Sequence, residues 1–166
     1  MHPLSGVARA AALPKRVRLC AMRLGINETL AGLKTLNRLE AVLARAEWTD
    51  TRIWEGLLRD TDDNIVGGTM SNLFMRRGSR LTTPKLDRCG ISGVMRRWVL
   101  EQASGLELPV TEGRLRWEDL ARADEVFLTN AVVGIVPIAV IQHGRAVFRL
   151  AERSAANGLC RLLEKQ

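Results

Sequence analysis

The chain has 166 residues, of which 46% are hydrophobic and 26% are charged. This composition is typical of one folded domain and excludes a globally disordered or fibrous protein. No apolar run approaches the roughly 20 residues that a transmembrane helix needs. The three cysteines include no CxxC pair, which argues against a zinc knuckle or a disulfide framework and favours a reducing cytoplasm.

Basic residues outnumber acidic ones by 25 to 18, and the excess is concentrated in residues 1–25 and 76–97. A clustered basic surface can bind nucleic acid. These segments lack interleaved aromatic residues, and the chain has no recognisable nucleic-acid-binding motif. We therefore expect no nucleic-acid partner, and a basic nucleic-acid-binding module remains only an alternative hypothesis.

The chain begins with a loose lead-in, residues 1–15, and residues 16–166 are predicted to form one domain. The lead-in is basic and alanine-rich, which faintly resembles an organelle transit peptide. That interpretation is weakened because RVRLCAMRL follows directly and is typical of a β-strand. The strand would have to belong to the mature fold.

A helix is predicted for KTLNRLEAVLARAEW, which follows the loop GINETLAG. Apolar residues recur there at helical spacing and predict a buried stripe. The stripe consists of Leu36, Leu39, Val42, Leu43 and Ala46.

Short strands joined by glycine-containing turns are predicted for the middle of the chain. In order they are RIWEGLLRD, NIVGG, SNLFMRR and RLTTP, with a hairpin turn at DTDDN. A helix follows from Ile91 to about Ser104 and Gly105, with an apolar face of Val94, Trp98 and Val99. The remaining elements are LELPVTE (strand), WEDLARA (helix), DEVFLTN and GIVPIAVIQ (strands), and LAERSAANGLCRLLEKQ (helix). The sequence therefore predicts the α+β class.

Lysine is rare, with only four among the 25 basic residues, and Lys34 lies at the junction of a loop and the first predicted helix. Burial beside Leu33 and Leu36 would lower the pKa of its amine, as a Schiff-base nucleophile requires. From spacing alone, a solvated lysine at a helix start is the simpler interpretation.

Two loops, GGTMSN and CGISGVMR, combine glycine with small or hydroxyl residues. The second opens a helix, so the backbone amides of Val94 and Met95 could bind a phosphate group. Neither His2 nor His143 has an acidic or thiol partner at a useful spacing. The aspartates of DTDDN fit a solvated hairpin turn better than a cation site, so no metal site is predicted.

Four blocks in order resemble the fold-type IV pyridoxal-phosphate enzymes, the class IV aminotransferase-like family. They are RLGINETLAGLKTLNRLEAVLARAEW, NIVGGTMSNLF, TPKLDRCGISGVMRRWVLEQA and ADEVFLTNAVVGIVPI, and together they cover about residues 23–138. The LAGxKxLNRLE and NxxxGxxP portions are most similar to the aminodeoxychorismate lyase branch. The resemblance implies the C-terminal, cofactor-binding domain of that family, a mixed sheet or pseudo-barrel flanked by helices.

The resemblance also implies specific site residues. Lys34 is expected to bind pyridoxal 5'-phosphate covalently and to act as general base. The amides of Val94 and Met95, together with Asn130 and Ala131, are expected to surround the phosphate. Ile91 is expected to pack on the pyridine ring, and Arg23 is a weaker candidate for reaching the cofactor.

Two departures from the family pattern affect these expectations. Gly67 stands where the family carries a glutamate that hydrogen-bonds the pyridine nitrogen, so we expect Gly67→Glu to raise activity. The family also carries about a hundred further residues before the RLG block, and its active site lies at a dimer interface.

The expected function is conversion of 4-amino-4-deoxychorismate to 4-aminobenzoate and pyruvate in folate biosynthesis. The alternatives are an inactive or partner-dependent domain and an aminotransferase acting on D-amino or branched-chain amino acids. Apolar surface left bare where the family carries its further domain would favour self-association, so we expect a homodimer or a self-associating chain.

Overall fold

The structure is a computed structural model that describes residues 13–165. Most of the predicted lead-in, including His2 and the segment that resembles a transit peptide, lies outside the described residues. Within that range the predicted α+β class is confirmed, because a mixed sheet is covered by separate helices.

Nine strands in residues 13–165 form one sheet. They are β1 (Lys15–Leu24), β2 (Ile53–Asp60), β3 (Ile65–Gly68), β4 (Asn72–Arg77), β5 (Arg80–Pro84), β6 (Val110–Gly113), β7 (Glu125–Asn130), β8 (Gly134–His143) and β9 (Ala146–Arg149). Their order is β3-β2-β1-β8-β7-β4-β5-β6, and β9 also pairs with β8. Strand β1 runs parallel to both β2 and β8, and β5 runs parallel to β6, whereas the other pairs are antiparallel.

The described helices are α1 (Leu39–Arg45), α2 (Val94–Gln102), α3 (Trp117–Ala121) and α4 (Ser154–Leu163), and a 3-10 helix (Ala103–Leu106) extends α2. One apolar core lies along the strands and includes Val17, Leu57 and Ile138. A second core lies between the sheet and helices α2 and α4, where the rings of Phe74 and Phe127 stack at 5.1 Å between centroids. Between residues 13 and 165, no helix has both the length and the apolar character needed to cross a membrane.

The prediction for α1 was wrong in its start and in its buried face. The helix begins at Leu39, and the side chains of the predicted stripe are exposed, with Leu36 at 101% and Val42 at 61%. The buried face carries Ala41 and Ala44 instead. These small residues allow a close approach to the sheet, since the Cys20 thiol lies 3.9 Å from the Ala44 carbonyl oxygen.

The other elements follow the predictions with small shifts. Strand β6 is shorter than LELPVTE suggested, and Val94 is exposed although Val99 is fully buried. Strand β9 was not predicted; its four residues are mostly exposed, and among the described strands it pairs only with β8. Such a short run carries no alternation long enough to indicate a strand.

Candidate functional site

A short backbone pairing brings the loop that carries Lys34 beside the segment that opens α2. The Gly32 amide donates to the Gly90 carbonyl oxygen at 3.0 Å, and the Ser92 amide donates to the Gly32 carbonyl oxygen at 2.9 Å. Gly32 and Ile91 thereby form an isolated parallel bridge. Two regions separated by almost sixty residues of sequence therefore meet.

The Lys34 side chain is exposed and lies outside the helix, which begins five residues later. Its flanking residues Leu33 and Leu36 are exposed as well. The described residues therefore do not bury the amine in the way that the apolar flanks suggested. They leave the amine accessible to an aldehyde, which it would attack as a nucleophile.

The N-terminus of α2 is suited to an anion. Gly93 is the N-cap residue, no side chain caps the helix, and the first turn contains no acidic residue. Because the first amides of a helix have no intrahelical acceptor, the N–H groups of Val94 and Met95 are available to a negatively charged group. The helix dipole adds to this preference.

Asn72, the first residue of β4, holds this helix start in place. Its Nδ2 donates to the Ile91 carbonyl oxygen at 2.7 Å, and its Oδ1 accepts the Gly93 amide at 3.2 Å. A Cβ atom on Gly93 would lie 2.4 Å from that Oδ1. Any larger residue at position 93 would therefore displace the Asn72 side chain.

The turn Thr69–Ser71, between β3 and β4, surrounds the buried carboxylate of Glu55. Oε1 accepts the Thr69 hydroxyl at 2.6 Å and the amides of Gly56 and Thr69 at 2.9 and 3.2 Å. Oε2 accepts the Ser71 hydroxyl at 2.9 Å and the Met70 amide at 3.2 Å. Five uncharged donors thus satisfy a carboxylate that is 0% exposed.

The same turn contacts the segment that leads from Lys34 into α1. Arg38 Nη2 donates to the Thr69 carbonyl oxygen at 2.6 Å. The turn is therefore tied both to the lysine loop and, through Asn72, to the start of α2.

Sequence reasoning missed Glu55, Asn72 and Arg38. A signal existed for Glu55, because a single acidic residue inside the apolar run IWEGLL must either break the strand or be buried with partners. The roles of Asn72 and Arg38 depend on contacts with distant segments, which spacing does not reveal.

Asn130 lies beside the turn Thr69–Ser71, and its side chain forms hydrogen bonds to backbone groups of the protein. Its Oδ1 accepts the amides of Val132 and Val133 at 2.8 and 3.0 Å, and its Nδ2 donates to the Met70 carbonyl oxygen at 3.3 Å. These bonds shape the turn after β7. Ala131 is exposed in that turn, and its contact with a phosphate stays a prediction.

Gly67 lies in β3, opposite Leu58 of β2. A Cβ atom there would lie 2.7 Å from the Ser71 carbonyl oxygen. A glutamate at this position therefore requires the turn to move. The present backbone leaves no room for the glutamate side chain, and the gain in activity expected from Gly67→Glu stays a prediction.

Arg23 lies apart from this group of residues. Its guanidinium pairs with Asp63 at 2.9 Å and donates to the Thr61 carbonyl oxygen at 3.2 Å. It lines a separate cavity of about 250 Å³ together with Arg59, Asp63, Arg116, Trp117, Glu118 and His143. Its predicted role toward the cofactor gains no support from these contacts.

Two buried thiols near these elements are poor nucleophiles. Burial, as the largest cause, raises the pKa of the Cys89 thiol to about 11 and that of the Cys20 thiol to about 12. Both thiols therefore stay protonated at neutral pH. The exposed Lys34 amine is the more accessible nucleophile of the site.

The basic segment 76–97 does not form a continuous free positive surface. Four of its seven basic residues have acidic partners, and two of these, Arg76 and Arg96, are buried. The electrostatic attraction on which the nucleic-acid hypothesis depended is correspondingly reduced.

The aspartates of the β2–β3 hairpin serve the turn. Asp60 Oδ1 accepts the amides of Asp62 and Asn64 at 2.9 and 2.8 Å, and its Oδ2 accepts the Asn64 side-chain amide at 2.9 Å. The interpretation as a hairpin turn, preferred from sequence, agrees with these contacts.

The chain is similar to proteins of one known family. The family model described as amino-transferase class IV matches residues 3–141. The chain is 39% identical over 125 residues to aminodeoxychorismate lyase of Vibrio harveyi, an alignment that covers 74% of this chain and 45% of the relative. It is 37% identical over 111 residues to a Thermotoga maritima protein named probable branched-chain-amino-acid aminotransferase, covering 66% of this chain and 40% of the relative.

A solved structure shares the fold. The crystal structure of 4-amino-4-deoxychorismate lyase from Pseudomonas aeruginosa superposes with a TM-score of 0.80 at 39% identity, covering 99% of this chain and 57% of that one. The chain therefore spans about half the length of the relatives that it matches.

Proposed function

This chain belongs to the amino-transferase class IV family, and on that basis we propose that it is the cofactor-binding part of an aminodeoxychorismate lyase. The substrate is 4-amino-4-deoxychorismate and the products are 4-aminobenzoate and pyruvate. The cofactor is pyridoxal 5'-phosphate, on which the family depends. Two of the named relatives carry this lyase activity in their names.

The observation that carries the proposal is the Gly32–Ile91 bridge. It brings an exposed lysine near a helix start that has free amides and no acidic residue in its first turn. An amine for the aldehyde and an anion site for the phosphate are the two features that pyridoxal phosphate requires. The residues present therefore fit the group.

In this proposal each residue has a definite task. Bound pyridoxal phosphate supplies an electron sink for the carbon that bears the substrate amine. Lys34 Nζ holds the cofactor and, once displaced in its neutral form, accepts the proton from that carbon. The amides of Val94 and Met95 bind the phosphate, Asn130 and Ala131 close its other side, and Ile91 packs against the ring.

The test is covalent trapping of the cofactor on the purified protein. Wild-type protein mixed with pyridoxal phosphate should become yellow, and borohydride should fix one cofactor on the peptide that contains Lys34. Lys34→Ala should abolish the absorbance and the label. Lys165→Ala, an exposed lysine at the end of α4, is the matched control and should keep both.

A colourless wild-type protein, or label distributed over several lysines, contradicts the proposal. Labelling of Lys34 without turnover supports an alternative, a cofactor-binding domain that needs a partner to act.

A second candidate function is amino transfer from a branched-chain or D-amino acid. The 37% identity to the Thermotoga maritima protein favours the branched-chain form. Pyruvate release from 4-amino-4-deoxychorismate supports the lyase. Transfer of the amine from leucine or D-alanine to 2-oxoglutarate supports the aminotransferase.

A further inference from the structure

The proposed chemistry assigns no task to the buried carboxylate of Glu55. Burial of a charged group is unfavourable unless hydrogen bonds compensate for the lost hydration. Four of the five donors to Glu55 belong to the turn Thr69–Ser71, and the fifth is the neighbouring amide of Gly56. The hydrogen bonds that compensate for the burial of Glu55 therefore also fix the conformation of the turn Thr69–Ser71.

Gly68 shows that the carboxylate and the turn fit closely. A Cβ atom on Gly68 would lie 2.8 Å from Glu55 Oε2 and 2.2 Å from the Ser71 hydroxyl oxygen. Any larger residue at this position would separate the carboxylate from the turn. The backbone beside Glu55 is therefore shaped for this interaction.

The turn also positions the start of α2. Asn72 follows the turn directly, and its side chain holds the Ile91 carbonyl oxygen and the Gly93 amide. The path from the Glu55 carboxylate to the helix start consists of the turn and one asparagine. A shift of the turn changes where Asn72 places Gly93.

We propose that Glu55 is a positioning residue that sets the N-terminus of α2 for the phosphate by ordering the turn Thr69–Ser71. This role rests on the proposed function only for the identity of the anion. Glu55 is fully buried, and its five donors occupy both carboxylate oxygens. It therefore acts through Asn72 and not by contact with the cofactor.

The test compares Glu55→Gln with Glu125→Gln in the cofactor-free protein. Both glutamates are 0% exposed and both accept backbone amides, but Glu125 serves Ala155 and Ala156 at the start of α4. In Glu55→Gln, one carboxylate oxygen becomes an NH2 group that cannot accept. Amide hydrogen exchange by NMR should then become about tenfold faster at Thr69 or Met70 and also at Gly93.

Glu125→Gln should accelerate exchange at Ala155 and Ala156 and leave Gly93 unchanged. If Glu55→Gln does not fold, Ser71→Ala removes only one donor and should accelerate Gly93 exchange in the same direction by about twofold to fivefold. Unchanged exchange at Gly93 in a folded Glu55→Gln or Ser71→Ala protein overturns the proposal. Equal acceleration of Gly93 exchange by Glu125→Gln also overturns it.

A second measurement separates this role from the proposed function. Glu55→Gln should weaken binding of pyridoxal 5'-phosphate about tenfold and leave binding of pyridoxal, which lacks the phosphate, nearly unchanged. Equal weakening of both aldehydes contradicts a role at the phosphate. Failure of the wild-type protein to bind either aldehyde contradicts the proposed function, whereas Gly93 exchange still tests the link from Glu55 to α2.

Discussion

Two regions of the molecule are each organised by a fully buried glutamate, and the donors differ. Glu125 accepts Arg76 Nε at 3.1 Å and the amides of Ala155 and Ala156 at 3.0 and 2.8 Å. A salt bridge thus joins β4 to β7, and two backbone hydrogen bonds join β7 to α4. Glu55 accepts uncharged donors only, mostly from one turn. The first arrangement connects large elements of the scaffold, and the second orders a small segment beside the start of α2.

This contrast shows that burial of a carboxylate alone does not indicate function. The elements that supply the donors decide the role. A buried charge that bonds to helices and strands of the core supports stability, whereas one that bonds to a loop at a surface site restricts the geometry of that site.

The largest expected effect is the loss of the Glu125 salt bridge. Glu125→Ala leaves Arg76 buried without its core partner and should lower the free energy of unfolding by about 3–5 kcal/mol. Urea unfolding measures the change. Glu152, the second partner of Arg76, is largely exposed, and Glu152→Ala should cost less than about 1 kcal/mol. Equal losses in the two variants would contradict the scaffold role of Glu125.

A smaller effect is expected from adding one methyl group to a glycine in each region. In Gly93→Ala, the new Cβ would lie 2.4 Å from Asn72 Oδ1, so the Asn72 hydrogen bonds must lengthen. The expected loss in the free energy of unfolding is about 1–3 kcal/mol. Phosphate binding, followed by NMR shifts of the Val94 and Met95 amides, should weaken as well.

Gly158→Ala is the matched substitution in α4. Its Cβ would lie 3.2 Å from a terminal carbon of the flexible Leu106 side chain, and alanine is favoured over glycine in a helix by about 1 kcal/mol. The two effects offset each other, so stability should change by less than about 1 kcal/mol. A larger loss in Gly158→Ala than in Gly93→Ala would show that the site region is the more tolerant of the two.

Much of the fold could be predicted from the sequence because most strands are bounded by turn residues and filled with apolar ones. Eight of the nine described strands match predicted ones. The buried face of α1 was predicted wrongly because its leucines have helical spacing but face outward. Small residues, Ala41 and Ala44, occupy the contact with the sheet, and a hydrophobicity pattern gives them less weight than leucine.

The candidate site could be predicted only in part. The resemblance predicts a site that contains Lys34, Ile91, Val94 and Met95, and the Gly32–Ile91 bridge brings the segments that carry these residues together. The resemblance did not predict the roles of Glu55 and Asn72, because these roles arise from hydrogen bonds across 14 to 21 residues of sequence. Only the folded chain brings these partners together.

The smallest expected effect on stability concerns the helices beside the two regions. Helix α4 buries Ala155, Ala156, Gly158 and Leu159, whereas α1 leaves Leu39, Val42 and Leu43 exposed. Val42→Lys removes no buried contact and should change the free energy of unfolding by less than about 0.5 kcal/mol. Ala44→Val, on the buried face of α1, should cost about 1–3 kcal/mol through overpacking.

The exposed face of α1 should instead affect association. Leu39, Val42 and Leu43 are exposed on this face, and exposed apolar surface can mark contacts between proteins. The prediction of a self-associating chain makes this face a candidate contact with a second copy. Since burial of one valine contributes about 1.5–3 kcal/mol, Val42→Lys should weaken self-association about tenfold or more in sedimentation velocity. An unchanged association constant would show that the contact between two copies lies on another face of the protein.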